Sequence, residues 1–313
     1  MLPFVFFDES KMFGAHAWGL MCALGYFAWD YVATRRVKQL GYDARTFGSF
    51  TAWTFLSCAF FAHALDSVFY HWDDLVRRPH SIFFVWENSS SMGGIIGAIV
   101  GAIGWRFITF RKQNRFSMGL RKARLPILPY ADMMSATFPV AMTFGRLGCA
   151  VIHDHPGVLA PVGTWIAHRW PTSGDEGVTR HFGPVSVQFG GSETRYDLGT
   201  VEFFYVAVIA IAFALTFSRN LRVGTYTAIA CMVYPPARFV MDFYRLTDAQ
   251  GGDVRHGSLT FAQYANIAMF ALGVYIAVRL VRDAAFGRDT SLLVVGANDI
   301  AVKSVPAVLQ RGD

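Results

Sequence analysis

Seven separate stretches of this chain are apolar over roughly the ~20 residues that a bilayer core requires of a crossing helix. They run over 15–33, 49–69, 92–110, 127–152, 199–217, 223–243 and 258–278. In lipid, each backbone N–H and C=O must find its partner inside the segment, which a helix provides. The expected fold is therefore an all-α polytopic membrane protein with seven transmembrane helices. The totals agree, at 53% hydrophobic and 16% charged residues, too apolar for an ordinary soluble domain. Glycines 93, 94, 97, 101 and 104 recur along the third segment, a spacing that lets helices approach closely.

The loops give the orientation. Lys and Arg number seventeen over 34–48, 111–125, 218–222 and 279–313, against eight in the loops of the other side. The positive-inside bias puts the first set in the cytoplasm, with the N-terminus outside and the C-terminus inside. The formal charge of +6 is explained by those loops and does not argue for nucleic acid. The long loop 153–198 falls outside. Within it Val185 to Phe189 alternates like a strand between Gly/Pro turn signals, so a small, partly β head is expected, too short to be stable alone. The chain reads as a single integral membrane domain over 1–313, with the head inserted at about 153–198 and a loose cytoplasmic tail at about 288–313. The four cysteines, Cys22, Cys58, Cys149 and Cys231, lie in apolar segments and read as packing thiols. The N-terminus has no basic region ahead of an apolar one and no small-residue cleavage site, and is read as retained.

Against this background two charges stand out. Arg146 follows an apolar approach between Gly145 and Gly148, and Arg238 follows Tyr234-Pro235-Pro236-Ala237. Both fall in the outer third of their helices. An arginine inside a membrane segment marks a functional site by default, and its planar fork suits phosphate or carboxylate. The alternative is an ion pair with an in-membrane acid, of which Asp132, Glu202 and Asp242 are the candidates. After Arg146 comes His153-Asp154-His155. The triplet, with His63, His71, His168 and His181 as further ligands, matches no strong zinc pattern, and no metal or cofactor is expected. His153 or His155 as a general base is the better reading, beside the alternative of polar residues at a helix end. His63 and Asp66, one turn apart, read as interhelical hydrogen bonds or a proton-handling pair. Asp197 and Glu202 flank the start of the fifth segment, where acids favour the helix dipole.

These residues, taken in order, resemble the bacterial phosphatidylglycerol–prolipoprotein diacylglyceryl transferases. Gly145-Arg146-Leu147-Gly148, running to Gly157, is similar to that family's signature G-R-x-G-N-F-x-N-x-E-x-x-G. Trp18-Gly19-Leu20-Met21 resembles its Y-G-L-M, and Met92-Gly93-Gly94-Ile95-Ile96-Gly97 its H-G-G-L-I-G. Arg195 to Glu202 resembles R-H-P-S-Q-L-Y-E, the stretch ending at Arg245 resembles R-F-x-x-E-F-x-R, and Gln263 sits where the last helix has M-G-Q. The resemblance implies transfer of a diacylglyceryl group from phosphatidylglycerol to the cysteine thiol of a lipoprotein signal peptide, with glycerol phosphate leaving. It implies an inner-membrane enzyme, expected to be monomeric, whose partners are phosphatidylglycerol, the prolipoprotein signal peptide and membrane lipid. Arg146, Arg238 and His153 take catalytic roles on this reading. Trp18, Met92, Gly93, Gly94, Gly145, Cys149, Asp154, Gly157 and Glu202 take substrate-binding roles. The departures are equally definite. Met92 replaces the histidine before Gly-Gly, Trp18 the tyrosine, Cys149 the signature's first asparagine and Asp154 its glutamate. A divergent paralogue that binds an anionic phospholipid, and catalyses a different transfer or none, is the second expectation. A purely structural membrane protein is the third.

Overall fold

Each apolar run becomes a helix in the computed structural model, which describes residues 4–7, 16–69, 71–84, 90–113, 115–120, 125–170, 178–182, 185–189, 191, 193–219, 221–246 and 255–287. Among these, seven helices have seventeen or more residues. They are α1 (Ala17–Gln39), α2 (Ala44–Phe69), α4 (Ser91–Phe107), α5 (Leu128–Ile152), α6 (Leu198–Leu215), α7 (Thr225–Met241) and α8 (Phe261–Arg282), with a single-turn α3 (Trp72–Arg77) after α2. By length and composition α2, α5, α6 and α8 suffice to cross a membrane, and the apolar stretch Gly93–Phe107 is shorter. The tail 288–313 lies outside the described residues.

The chain forms two compact units. One holds, among the described residues, those of 34–133, 222–224 and 279–287. Its main contact is α2 against α4, and the glycines explain it. A Cβ on Gly93, Gly97 or Gly101 would lie 2.4, 2.4 or 2.6 Å from the carbonyl oxygens of Phe61, Ser57 and Trp53. Only bare backbone fits there, as in small-residue membrane helix packing. Trp105 lies between Phe50 and Tyr130, 5.1 and 4.8 Å between ring centroids. Asp43 caps α2, accepting from the Thr46 amide at 2.9 Å. His63 Nε2 donates to the Ser81 carbonyl at 2.8 Å and Asp66 binds His71 at 2.9 Å.

The expectation of helix to 110 is corrected. α4 stops at Phe107, and the basic stretch beyond it forms an antiparallel hairpin of β2 (Ile108–Gln113) and β3 (Arg115–Leu120). Ile108, Phe110 and Phe116 favour a strand over a helix.

The other unit holds residues 1–33, 134–221 and 225–278. Its apolar centre joins α5, α6 and α7 through Ala136, Ile209, Phe213 and Tyr226. Gly25 and Gly148 let α1 lie against α5: a Cβ on Gly148 would meet Trp18 and Met21 at 3.1–3.2 Å, and one on Gly25 would meet Phe144 at 2.9 Å. α8 closes on α7 at Gly273, beside Cys231. Those residues of α7 lie just ahead of Pro235 and Pro236, which lack the N–H of the helix ladder.

Between α5 and α6 the chain is β. Strands β4 (Pro156–Leu159), β5 (Ala167–Trp170) and β8 (Glu193–Asp197) form one antiparallel sheet with β8 central. A second sheet has β7 (Val185–Phe189) between β6 (Val178–Phe182) and β1 (Phe4–Phe7). The strand expected at Val185 to Phe189 is therefore present, and its partner β1 comes from the start of the chain. α6 begins directly from β8, with Asp197 as its N-cap accepting from the Thr200 amide at 3.2 Å.

Candidate functional site

Three helices of this second unit bring their charges together. Arg146 stands near the end of α5, Glu202 in the second turn of α6, and Tyr234 and Arg238 one turn apart on α7. Gly199 makes the meeting possible, because a Cβ there would press on the α5 backbone at Cys149 and Ala150, 3.1 Å away.

Glu202 is the hub, with 2% of its surface exposed. Its Oε1 accepts from the Tyr234 hydroxyl at 2.6 Å and lies 3.1 Å from Arg146 Nε. Its Oε2 lies 3.9 Å from Arg238 Nε. Tyr234 also hydrogen-bonds Arg146. A buried carboxylate without such partners would be strongly unfavourable, and Glu202 has a guanidinium near each of its oxygens.

Arg238 has a second acid. Its Nη1 donates to Asp242 Oδ1 at 2.5 Å, four residues on, and Thr260 Oγ1 donates to the other oxygen of Asp242 at 3.2 Å. Thr260 is itself fixed by a capping box at the start of α8. Its amide donates to Gln263 Oε1 at 2.9 Å, and the Gln263 amide returns to Thr260 Oγ1 at 3.2 Å. Gln263 Nε2 then donates to the Phe239 carbonyl of α7 at 3.1 Å. Arg238 is thus positioned through Asp242 by the start of α8.

Arg146 points its other edge at the altered half of the signature. Its Nη1 lies 3.8 Å from Cys149 Sγ. The Trp18 indole N–H donates to that sulfur, and the thiol donates to Asp154. Asp154 Oδ1 lies 2.5 Å from His155 Nδ1, and the ligand atoms of Cys149, Asp154 and His155 all fall within 4.8 Å of one another. Burial pushes the Asp154 carboxyl up, but hydrogen bonds from His155 and Cys149 and the Arg146 charge outweigh it and hold it below its ordinary value. The Arg146 side chain is 19% exposed and that of Arg238 10%, so Arg146 is the more accessible fork.

His153 stands apart from this group. It follows α5 in a left-handed conformation, φ 53°. Both ring nitrogens are engaged, Nδ1 with Asp197 at 2.5 Å and Nε2 with the Val5 carbonyl at 2.9 Å.

Of the residues expected from sequence, Arg146, Arg238, Glu202, Cys149, Asp154 and Trp18 come together. Gly145 has open space at its Cβ position, and Gly157 lies between the carbonyls of Tyr196 and Tyr244. Gly93 and Gly94 belong to the first unit, where they face α2. The side chain of Met92 lies outside the described residues. Both acids found beside the arginines, Glu202 and Asp242, were ion-pair candidates, while Asp132 lies buried in the first unit. Tyr234 and Thr260 received no role from the sequence. The Thr-x-x-Gln spacing of 260–263 is a readable capping signal and would have pointed to Thr260. Tyr234 had no such signal, since tyrosine at a membrane interface is common.

The family model described as prolipoprotein diacylglyceryl transferase matches residues 5–279. Proteins named phosphatidylglycerol–prolipoprotein diacylglyceryl transferase are similar over most of the chain. That of Chromohalobacter salexigens is 27% identical over 270 residues, covering 85% of this chain and 88% of the relative. That of Idiomarina loihiensis is 24% identical over 274 residues, covering 84% and 91%. That of Francisella tularensis subsp. holarctica is 23% identical over 271 residues, covering 84% and 88%.

Proposed function

Because the chain belongs to the prolipoprotein diacylglyceryl transferase family, we infer that it moves a diacylglyceryl group from phosphatidylglycerol to the signal-peptide cysteine of a prolipoprotein. It is a transferase, and its apolar helices and family are those of a bacterial inner-membrane protein. The observation that carries the reading is the pair of buried guanidiniums set on one carboxylate, Glu202.

The reaction makes a sulfur–carbon bond to the glyceryl group and breaks the carbon–oxygen bond to phosphate. The electron pair leaves on the phosphate oxygen, and the thiol proton goes to a base. The phosphate therefore passes from a diester with one negative charge to a monoester with nearly two. Fixed cations stabilise the second state more than the first, which is the condition for acceleration. Arg146 and Arg238 fill that role on this reading, with Glu202, Tyr234 and Asp242 keeping both forks in place before substrate arrives.

The base is better placed at His155 than at His153. Asp154 orients His155 through Nδ1, which leaves Nε2 directed elsewhere, whereas His153 is committed at both nitrogens. An oriented imidazole beside Cys149 and Arg146 is within reach of a thiol brought to the same phosphate.

The membrane arrangement follows from the loop charges. The seven long helices cross, the N-terminus and the β strands between α5 and α6 face the periplasm, and the C-terminus and the β2–β3 hairpin face the cytoplasm. The chain works as one membrane domain and as a monomer, with lipid and signal peptide as its partners and no nucleic acid. The test is transfer from radiolabelled phosphatidylglycerol to a lipobox peptide by the purified protein. Labelled peptide with wild type and none with Arg238→Ala is expected; equal labelling by the two would overturn the role of the arginine pair.

A further inference from the structure

His153, His168 and Asp197 are not used by the transfer reaction, and their arrangement asks for its own explanation. All three are buried, at 7, 5 and 0% exposure. They come from three places: the turn after α5, strand β5 and the N-cap of α6. Their ligand atoms nonetheless lie within 4.8 Å of one another.

The hydrogen bonds fix the tautomer of His153. The Val5 carbonyl can only accept, so His153 Nε2 carries the hydrogen between them. Nδ1 then faces Asp197 Oδ2 at 2.5 Å. A bare nitrogen lone pair against a carboxylate oxygen is repulsive, so a cation must lie between them: a proton or a metal ion. His168 Nε2 turns to the same oxygen at 4.0 Å, too far for a hydrogen bond. Ligand atoms around tetrahedral zinc, with bonds of ~2.0 Å, stand roughly 3.3 Å apart. One separation here is shorter than that and the other longer, each by under about 1 Å, so a small shift of Asp197 satisfies both.

The surrounding bonds also suit a metal centre. Metal-bound imidazoles commonly donate their other N–H to a backbone carbonyl, and bound carboxylates are held by further hydrogen bonds. His153 does the first through Val5, and Asp197 the second through the Thr200 amide at its other oxygen. Two imidazoles and one carboxylate suit zinc, with water completing four ligands. The location gives the ion a task. The β region is small, and the four cysteines, all free, lie in helices rather than in this region. Small β units of this kind are commonly stapled by a disulfide or a metal.

We propose that His153, His168 and Asp197 bind one zinc-type divalent ion, which ties together the end of α5, strand β5, the start of α6 and, through Val5, the N-terminal strand β1. The site is structural and separate from the arginine cluster, so its failure leaves the transferase reading intact.

The test uses full-length protein purified in detergent without a histidine tag, stripped with chelator, given zinc chloride and desalted. Zinc is then counted by plasma mass spectrometry. About one zinc per chain is expected in wild type, with His168→Ala and Asp197→Asn lowering affinity by at least roughly tenfold. Circular dichroism checks that the variants fold, and His155→Ala checks that the Cys149–Asp154–His155 group is not the ligand set. Cobalt in place of zinc should give visible bands that His168→Ala removes. Wild type that retains no zinc would reduce the site to a protonated His153–Asp197 pair and overturn the proposal. So would zinc retention that is lost in His155→Ala and kept in His168→Ala.

Discussion

Replacing Arg146 by alanine tests the central argument most directly. Arg146 gives Nε to Glu202 at 3.1 Å and lies against Cys149 at 3.8 Å. Its removal leaves Glu202 with the Tyr234 hydroxyl at 2.6 Å and Arg238 at 3.9 Å, so the carboxylate stays partnered. The cost to folding should therefore fall below the ~3–5 kcal/mol of a fully broken buried pair. The cost to the reaction is larger in proportion. Loss of one preorganised donor to developing negative charge typically lowers turnover by ~10²–10³, equivalent to about 3–4 kcal/mol. Because the phosphate gains its second charge only as the bond breaks, the loss should appear in kcat more than in KM. Labelled-lipid transfer to a lipobox peptide, with thermal unfolding of the same preparation, separates the two effects. Arg146→Lys should recover little, since an ammonium cannot span Glu202 and a phosphate as a fork does. A folded Arg146→Ala protein retaining half of wild-type turnover would refute the phosphate role.

Glu202→Gln keeps an acceptor for Tyr234 but removes the charge between two guanidiniums. It should destabilise the protein by about 3–5 kcal/mol, read as a lower thermal midpoint, and an unchanged midpoint would show that the arginines do not depend on it. His155→Gln should lower turnover by ~10²–10⁴ with the midpoint unaltered; wild-type turnover would move the base elsewhere. Asp43→Ala removes the α2 cap and should cost about 1 kcal/mol near pH 7. The Asp43 carboxyl is desolvated, which raises it, but the hydrogen bonds from Thr46 and Arg45 prevail and hold it below its ordinary value. Its contribution is therefore complete above the ordinary carboxylate range, ~3.9, and fades as pH falls through the lowered value. The wild-type–variant difference should shrink over that window; a difference independent of pH would assign the loss to something other than the carboxylate.

The helices were legible because burial in lipid imposes length and composition together. Their ends were less so, because hydropathy marks where lipid stops and not where the hydrogen-bond ladder stops. α1 continues to Gln39, past the expected 33, through Arg35, Arg36 and Lys38, cations that suit the negative end of a helix. α8 likewise runs on to Arg282. The arginines were legible as charges in the wrong solvent. Their partners were legible only as a short roster of acids, since pairing depends on which helices meet. Arg146 and Glu202 lie on different helices, brought together at Gly199, and nothing in local sequence encodes that contact. The hydrogen bonds of His153 were not legible for a related reason. Val5, which fixes its tautomer, arrives from the other end of the chain.

The ion pairs found around the arginines were the expected mark of a merely structural role, and the geometry separates the two arginines on this point. Arg238 is held at Nη1 by Asp242, and Asp242 is held by Thr260, so its position is rigid. Arg146 shares Glu202 with Tyr234 and with Arg238, and its second edge meets a thiol rather than a carboxylate. Sulfur is a weak acceptor. An anionic phosphate oxygen arriving at that edge exchanges a weak contact for a charge-assisted one, whereas a carboxylate there would have to be displaced. Cys149 in place of asparagine therefore keeps the Arg146 fork oriented without binding it tightly. The altered half of the signature, with Trp18 and Asp154 steadying that sulfur, remains compatible with an arginine waiting for a lipid phosphate.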